Sequence, residues 1–209
     1  LDGLQHDGLT DVYCNQAMGV LGDKCASEYK FSREDQDNYA IQSYKRASNA
    51  WKENKFKEEV VPVEITLRNG KKVIIEEDEE FKNINFDKVS QLKPAFAKDG
   101  TVTAANASTL SDGASAIVLM SKEKCSELNL TPIVTIKYYC DAAQDPEWFT
   151  TAPSIAVNKI LLETGLNIRD IDFFEFNEAF SVVALANMKI LAIKDNIVNI
   201  HGGAVSLGH

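Results

Sequence analysis

From Pro132 to its last residue, the chain alternates between short apolar runs and longer runs of helical periodicity. The apolar runs predict strands at 133–139, 172–176 and 197–200, and the intervening runs predict helices at about 154–164, ended by Gly165, and at about 178–194. This alternation is typical of a layered α/β domain. We therefore expect an α/β fold, with no internal repeat in this stretch.

The part of the chain before residue 108 has a different pattern of predicted elements. Ser32 and Asp35 resemble a capping box that opens a helix predicted at about 33–54. The Asn69-Gly70 turn then joins two strands of a predicted hairpin, at 60–67 and 73–75. Small residues follow from Gly100 and lead into 117–120, an apolar run that predicts a strand buried on both faces. We place the boundary between the two regions near residue 108.

The net charge of −9 over 209 residues restricts the classes of partner. Nucleic-acid binders and proteins drawn to anionic membranes usually present a basic face, so we expect neither activity. No run reaches the roughly 20 apolar residues that a membrane span requires, and no signal peptide is recognisable. Because both ends of the sequence look cut, we expect a processed or truncated product.

The cysteines and histidines do not predict a zinc site. The four cysteines lack C-x-x-C spacing and none of the three histidines has a ligand at finger spacing. We expect reduced, structural thiols.

Polar side chains follow two of the predicted strands. Asn177 comes directly after 172–176, and His209 lies at the far side of a glycine loop after 197–200. Ligands collect at the carboxyl ends of strands in α/β sheets, and a histidine there can act as a general base near neutral pH. The alternatives are that Asn177 only caps the following helix and that the histidine is structural. Two such strand ends together favour a site.

Four motifs resemble the thiolase family. They are NEAF at 177–180, GGAVSLGH at 202–209, TVTAANAST at 101–109 and DGLTD at 7–11. The similarity runs nearly end to end and is nearest to the mitochondrial type of acetoacetyl-CoA thiolase. It implies a layered α/β/α/β/α fold with two related halves. On that map 1–108 is the loop domain that covers coenzyme A, 109–130 is the last strand region of the N-terminal half, and 131–209 is part of the C-terminal half.

The resemblance implies acetyl-CoA C-acetyltransferase activity, in which two acetyl-CoA give acetoacetyl-CoA and coenzyme A, or the reverse. His209 matches the histidine that activates a cysteine nucleophile, and Asn177 matches the asparagine that holds a water for an oxyanion hole. Neither family cysteine matches a cysteine of this sequence. A non-catalytic thiolase-like subunit of a larger assembly is therefore the alternative, and a degradative long-chain thiolase is disfavoured.

The resemblance also implies binding residues. Ser108 matches a contact of the pantetheine arm, Lys88 and Asn83-Ile84-Asn85 match a stretch at the nucleotide end, and Met18 and Phe180 match the acyl pocket, although core packing explains these two equally well. A potassium ion, and no covalent cofactor, is implied at the positions that match Tyr44, Ala104, Ala105, Ala107 and Val205. Tyr44 also borders the coenzyme A region on this map.

The family further implies a homo-oligomer, either a dimer or a tetramer, and a mitochondrial location with the cytoplasm as the alternative. Five positions depart from the expected pattern. Ala17 and His201 stand where histidine and asparagine are expected, and Thr150 replaces a proline. Asn83 and Asn85 stand where an arginine and an aspartate are expected, so the cation that stacks on adenine is lost at Asn83. We expect the change at Ala17 to have the largest effect on the substrate site.

Overall fold

The structure is a computed structural model and describes residues 2–209. Its α-helices are α1 (Met18–Tyr29), α2 (Arg33–Lys52), α3 (Lys122–Glu127), α4 (Ala152–Thr164), α5 (Ser181–Leu191) and α6 (Ala204–Leu207), and its strands are β1 (Val63–Thr66) and β2 (Lys72–Ile75). Short 3-10 turns lie at Glu80–Lys82, Phe86–Gln91, Pro146–Thr151, Ile168–Asp170 and Asp195–Ile197. None of the helices in residues 2–209 is long and apolar enough to span a membrane.

Local sequence signals set α2 and the hairpin. The Ser32 hydroxyl accepts a hydrogen bond from the Asp35 amide at 3.0 Å, and the Asp35 carboxylate accepts one from the Ser32 amide at 2.8 Å, so the predicted capping box is confirmed. β1 and β2 pair antiparallel around Gly70, whose φ of +80° suits the tight turn. Both elements are confirmed; α2 and β1 are shorter than predicted, and β2 begins one residue earlier than predicted.

Helix α5 lies at the centre of the fold. Val182, Ala184 and Ala186 are fully buried on different faces of it, which is typical of a core helix. One apolar cluster joins α5 to α1 and to Val102, and a second joins it to Tyr39 of α2 and to Phe174, Phe176 and Val198. A third cluster joins α2 to α6. Helix α2 therefore packs against both the run that precedes Asn177 and α6.

The predicted end of α4 is correct, whereas the predicted ends of α5 are not. Gly165 takes a left-handed conformation and ends α4 as predicted. Helix α5 is shorter than the predicted 178–194, because Phe180 stays extended and pairs with Ala107, and Ala192 turns left-handed after the last helical residue. The first helical residue is Ser181, so Asn177 lies outside the helix and is not its N-cap.

The predicted strands form only in part. The runs 172–176 and 197–200 meet in parallel, since the Phe174 amide donates to the Ile197 carbonyl at 2.8 Å and the Asn199 amide donates to the Phe174 carbonyl at 2.9 Å. The strands predicted at 117–120 and 133–139 are wrong for this structure. Both runs are irregular and exposed, Ile133 by 99%, and no segment within residues 2–209 pairs with them.

Candidate active site

Two extended segments meet directly before α5. Ala107 and Phe180 face each other in an antiparallel bridge. The Ser108 amide donates to the Ala179 carbonyl at 3.0 Å, and the Ser181 amide donates to the Asn106 carbonyl at 2.8 Å. This pairing brings Ser108 beside the segment that begins at Asn177, although 69 positions separate the two in sequence.

His209 is held against the segment 108–111. Its amide donates to the Thr109 carbonyl at 3.0 Å, its carbonyl accepts from the Ser111 amide at 3.2 Å, and its Nδ1 lies 2.7 Å from the Ser108 hydroxyl oxygen. Gly208 allows this approach with a φ of +84°, and a Cβ there would lie 2.0 Å from Ser111 Oγ.

The Ser108 contact assigns different tasks to the two imidazole nitrogens. Because Nδ1 is engaged by the hydroxyl, Nε2 is the nitrogen left for a ligand. When Nδ1–H donates to Ser108 Oγ, Nε2 carries a free lone pair and can accept a proton. The ring is exposed to solvent, so a substrate can reach it.

Asn177 presents a free carboxamide at the start of the segment that pairs with Ala107 and Ser108. Its side chain is exposed and forms no hydrogen bond with any other residue in 2–209. The alternative that it caps a helix is wrong, since the N-cap position of α5 is Phe180. The carboxamide is therefore available to a ligand or a water.

The positions matched to the acyl pocket lie together. Phe180 is 7% exposed, and Met18, at the start of α1, packs against the same cluster with Phe149. Phe96 meets Phe180 edge to face at 6.0 Å between ring centroids. The half-buried Met18 is able to line a pocket, while Phe180 also serves as ordinary core.

The segment matched to the nucleotide end lies between two 3-10 turns. Asn83, Asn85 and Lys88 are exposed, whereas Ile84 packs against the cluster that holds Tyr44, Val205 and Leu207. The Asn85 side chain accepts from the Asp87 amide at 3.2 Å, so it caps a turn. Ile84 thus connects this segment to the loop that ends at His209.

The positions matched to potassium ligands divide into two groups. Tyr44 and Val205 are buried in one cluster, and Ala104, Ala105 and Ala107 belong to a turn that follows Thr103. The Asn106 side chain ties this turn to α2 through a 2.9 Å hydrogen bond to Asp37. The carbonyl oxygens of the three alanines accept no hydrogen bond from residues 2–209. Carbonyl oxygens and a phenol are the kinds of ligand that an alkali cation can take.

The Tyr44 phenol keeps its proton in this setting. Burial, followed by the negative charges of Glu80 and Glu178, raises its pKa to about 12. No group of three or more histidine, cysteine, aspartate or glutamate side chains within 2–209 is arranged to hold a metal ion. Any cation at this place would therefore depend on neutral oxygens.

Two family models account for almost the whole chain. The model of the thiolase N-terminal domain matches residues 1–123, and that of the thiolase C-terminal domain matches residues 130–209. This chain belongs to the thiolase family. The resemblance drawn from the four motifs is thus confirmed.

Thiolase relatives show the same assignment at high similarity. The probable acetyl-CoA acetyltransferase of Dictyostelium discoideum is 53% identical over all of this chain and 50% of its own length, and the mitochondrial acetyl-CoA acetyltransferase of Mus musculus is 50% identical over all of this chain and 49% of its own length. The crystal structure of the Acat5 thiolase of Ascaris suum in complex with coenzyme A superposes with a TM-score of 0.94 at 47% identity, over all of this chain and 53% of that one.

These comparisons confirm the thiolase fold of this chain. They also show that the chain spans about half the length of the curated relatives it matches. The exposed runs 117–120 and 133–139 consequently belong to a fold whose relatives contain more chain than these 209 residues.

Three of the positions that depart from the family pattern, Ala17, His201 and Thr150, have defined surroundings in the structure. Ala17 is the N-cap of α1 and bridges to Thr10. His201 lies edge-on to the Phe56 ring at 6.2 Å. Thr150 is fully buried, and its hydroxyl lacks a partner within residues 2–209. None of the three blocks the Ser108–His209 contact.

Sequence reasoning assigned no role to Glu178. This carboxylate is fully buried and accepts hydrogen bonds from α2 and from the 199–205 segment. The available signal was its position, because it is a charged residue between Phe176 and Phe180, two aromatic residues of the NEAF region. The partners were not identifiable from spacing, since they are distant in sequence.

Proposed function

We propose that the full-length protein containing this chain is an acetyl-CoA C-acetyltransferase, which condenses two acetyl-CoA to acetoacetyl-CoA and coenzyme A or runs the reverse thiolysis. The observation that carries the proposal is the contact between His209 Nδ1 and Ser108 Oγ, beside the segment that begins at Asn177. The names of the relatives, acetyl-CoA acetyltransferases that are about half identical to this chain, support the same activity.

In this proposal His209 is the base that activates a cysteine thiol. The thiolate attacks the thioester carbonyl of acetyl-CoA, the bond from that carbonyl to sulfur breaks, and the departing coenzyme A thiolate takes the proton from the imidazolium. An exposed imidazole with one nitrogen held by Ser108 suits this exchange.

We assign the nucleophile and the second cysteine to the part of the protein outside these residues. Cys25 packs in the core beside Phe180, and Cys125 donates to the Leu130 carbonyl. Cys14 is exposed beside Asp11, and Cys140 donates to the Ala156 carbonyl at 3.5 Å. Hydrogen bonds within 2–209 join none of the four to His209.

Asn177 has the role of stabilising negative charge. With a water that it holds, and with His209, it forms the oxyanion hole for the thioester enolate made when the second cysteine removes an α-proton. The enolate carbon then attacks the acetyl-cysteine, a carbon–carbon bond forms and the cysteine thiolate leaves. The free carboxamide of Asn177 supports this role.

We propose that coenzyme A lies along the surface that carries Ser108, Lys88 and the 83–85 segment, with the acyl group toward Met18 and Phe180. Tyr44 borders this surface from beneath. Potassium would be held by the Tyr44 phenol and by carbonyl oxygens of Ala104, Ala105, Ala107 and Val205. The unpartnered carbonyls of the three alanines support that assignment.

Three further assignments rest on the family. We propose the division into a loop domain at 1–108, the last strand region of the N-terminal half at 109–130 and part of the C-terminal half at 131–209. We also propose a homo-oligomer, a dimer or a tetramer, and a mitochondrial location with the cytoplasm as the alternative. Light scattering and localisation of the tagged full-length protein test the last two.

The activity is tested by release of coenzyme A thiol from acetyl-CoA, with acetoacetyl-CoA measured in parallel. We expect equal amounts of the two products from the full-length protein and loss of both in His209→Ala. An intact, folded full-length protein without turnover would refute the proposal and favour a non-catalytic thiolase-like subunit.

A further inference from the structure

A buried carboxylate joins the two halves of the candidate site. Glu178 follows Asn177 directly and is fully buried. Among residues 2–209, no lysine, arginine or histidine forms an ion pair with it. A buried charge without a counter-ion is costly unless hydrogen-bond donors surround it, so the arrangement of its donors requires a reason.

Four donors meet this carboxylate, two from α2 and two from the stretch 199–205. Oε1 accepts from the Tyr39 hydroxyl and from Asn199 Nδ2, each at 2.7 Å. Oε2 accepts from the Ser43 hydroxyl at 2.8 Å and from the Val205 amide at 3.2 Å. Both oxygens therefore link α2 to the segment that runs from Asn199 to His209.

The contacts of Glu178 extend to the residues on each side of the site. Asn199, which donates to Glu178, also accepts from the Phe176 amide at 2.8 Å and donates to the Phe176 carbonyl at 2.9 Å, directly before Asn177. Val205 lies in α6, four residues before His209. A Cβ at Gly203 would lie 2.5 Å from Glu178 Cδ, so the loop backbone is in close contact with the carboxylate.

The groups around Glu178 are oriented to donate hydrogen bonds to its two oxygens. Burial, and then the negative charge of Glu178, raises the pKa of Tyr39 well above its ordinary value, so the hydroxyl stays protonated and donates. The Val205 amide can only donate. The Asn199 side chain is fixed in one orientation, because its oxygen is engaged by the Phe176 amide.

We propose that Glu178 is a positioning residue, which holds the Asn177 strand end and the loop that ends at His209 at a fixed separation by accepting these four hydrogen bonds. The inference rests on the proposed function, in which Asn177 and His209 act on the same oxyanion. Glu178 does not reach the reacting atoms, since it is enclosed by Tyr39, Ser43, Asn199 and Val205.

Glu178→Gln is the sharpest variant, because it keeps the size of the side chain. Either orientation of the new amide places its NH2 group against a nitrogen donor that cannot reverse, Val205 N in one case and Asn199 Nδ2 in the other. Glu175→Gln is the matched control, three residues earlier on the same segment and exposed. Ser43→Ala removes one of the four donors to Glu178, together with the Ser43 contacts to the Gly203 amide and Ser206 Oγ. It leaves the carboxylate in place and provides a milder variant if Glu178→Gln fails to fold.

The full-length enzyme with acetyl-CoA is the system to measure. We expect Glu178→Gln to lower kcat by about 10- to 100-fold, because small displacements of reacting groups have effects of this size, with KM changed by less than about twofold, since the coenzyme A contacts lie on other segments. Ser43→Ala should give a smaller loss in kcat, and Glu175→Gln none. Rates are expressed per folded molecule, from unfolding curves of each variant.

A purely structural role would lower the folded fraction and leave kcat per folded molecule unchanged, and that result would overturn the proposal. Hydrogen exchange at the amides of 203–209 gives a second readout that does not depend on turnover. We expect faster exchange there in Glu178→Gln and not in Glu175→Gln. If the wild type has no turnover, the proposed function fails, while unchanged exchange at 203–209 would separately refute the positioning role.

Discussion

At the scale of single residues, the distance of 2.7 Å between Ser108 Oγ and His209 Nδ1 is the contact on which the proposed chemistry depends most. It fixes the ring that acts as base, and it comes from a residue that the resemblance assigned only to coenzyme A binding. Ser108 consequently has two roles in the proposal, one toward the pantetheine arm and one toward the imidazole.

Ser108→Ala in the full-length protein tests the second role. We expect kcat to fall about 10-fold, because a hydrogen bond to an ionisable partner contributes about 1.5 kcal/mol. The matched control is Ser111→Ala, whose hydroxyl contacts Thr109 at 3.4 Å rather than the imidazole. Steady-state kinetics on acetyl-CoA measures both. A change in KM alone would show that Ser108 only binds substrate.

Tyr44→Phe tests the cation site at the same scale. The variant removes the phenol oxygen from a buried position, so we expect loss of stimulation by potassium over sodium with little change in the sodium-supported rate. Since burial raises the Tyr44 pKa to about 12, the phenol is neutral and the effect should not vary between about pH 6 and 10. Equal stimulation in the variant and the wild type would contradict the assignment.

At the scale of elements, glycine positions in the loop after residue 200 decide whether the site can form. Gly202 has a φ of +84°, and a Cβ there would lie 2.7 Å from the Ala47 Cβ of α2. Gly70 in the hairpin has a φ of +80° with open space around it. Both glycines have a left-handed backbone conformation, but only at Gly202 would an added Cβ clash with a neighbouring helix.

Gly202→Ala and Gly70→Ala therefore form a matched pair. We expect Gly70→Ala to cost about 1 kcal/mol from the left-handed conformation alone, and Gly202→Ala to cost about 3 kcal/mol because α2 must shift as well. Urea unfolding of the full-length protein measures both. Activity per folded molecule should fall only in Gly202→Ala, and equal stabilities would contradict the close approach to α2.

Elements with local signals were predicted well, and elements that depend on distant partners were not. The capping box at Ser32 and the Asn69-Gly70 turn specify α2 and the hairpin through neighbouring residues. A parallel strand obtains its hydrogen bonds from distant segments, so 133–139 has the composition of a strand and no partner among the described residues. The start of α5 was misplaced because Phe180 pairs with Ala107 instead of entering the helix.

The site divides in the same way. Asn177 and His209 were identified from their positions after strands and from the motifs, and the structure places Ser108 between their segments. Glu178 was missed because its donors, from Tyr39 to Val205, are spread over much of the chain. Burial and hydrogen bonding at that residue follow from the packing of α2 on α6, which no local pattern contains.

At the scale of the whole molecule, we propose that these residues form one side of a thiolase site. They supply the imidazole, the carboxamide, and the surface proposed for coenzyme A. Apolar runs at 117–120 and 133–139 lie exposed, and relatives that contain them are about twice as long as this chain. The nucleophile is accordingly assigned to the rest of the full-length protein.

The most direct test of this account measures how fast labelled acetyl-CoA acetylates a protein thiol. The time course is recorded by rapid quench on the full-length protein. We predict a burst of one acetyl group per active site in the wild type and a burst slowed by about 100-fold or more in His209→Asn, because the thiol then lacks its base. Acetylation at an undiminished rate in His209→Asn, or no acetyl-enzyme in the wild type, would contradict the assignment of His209 as the base of this site.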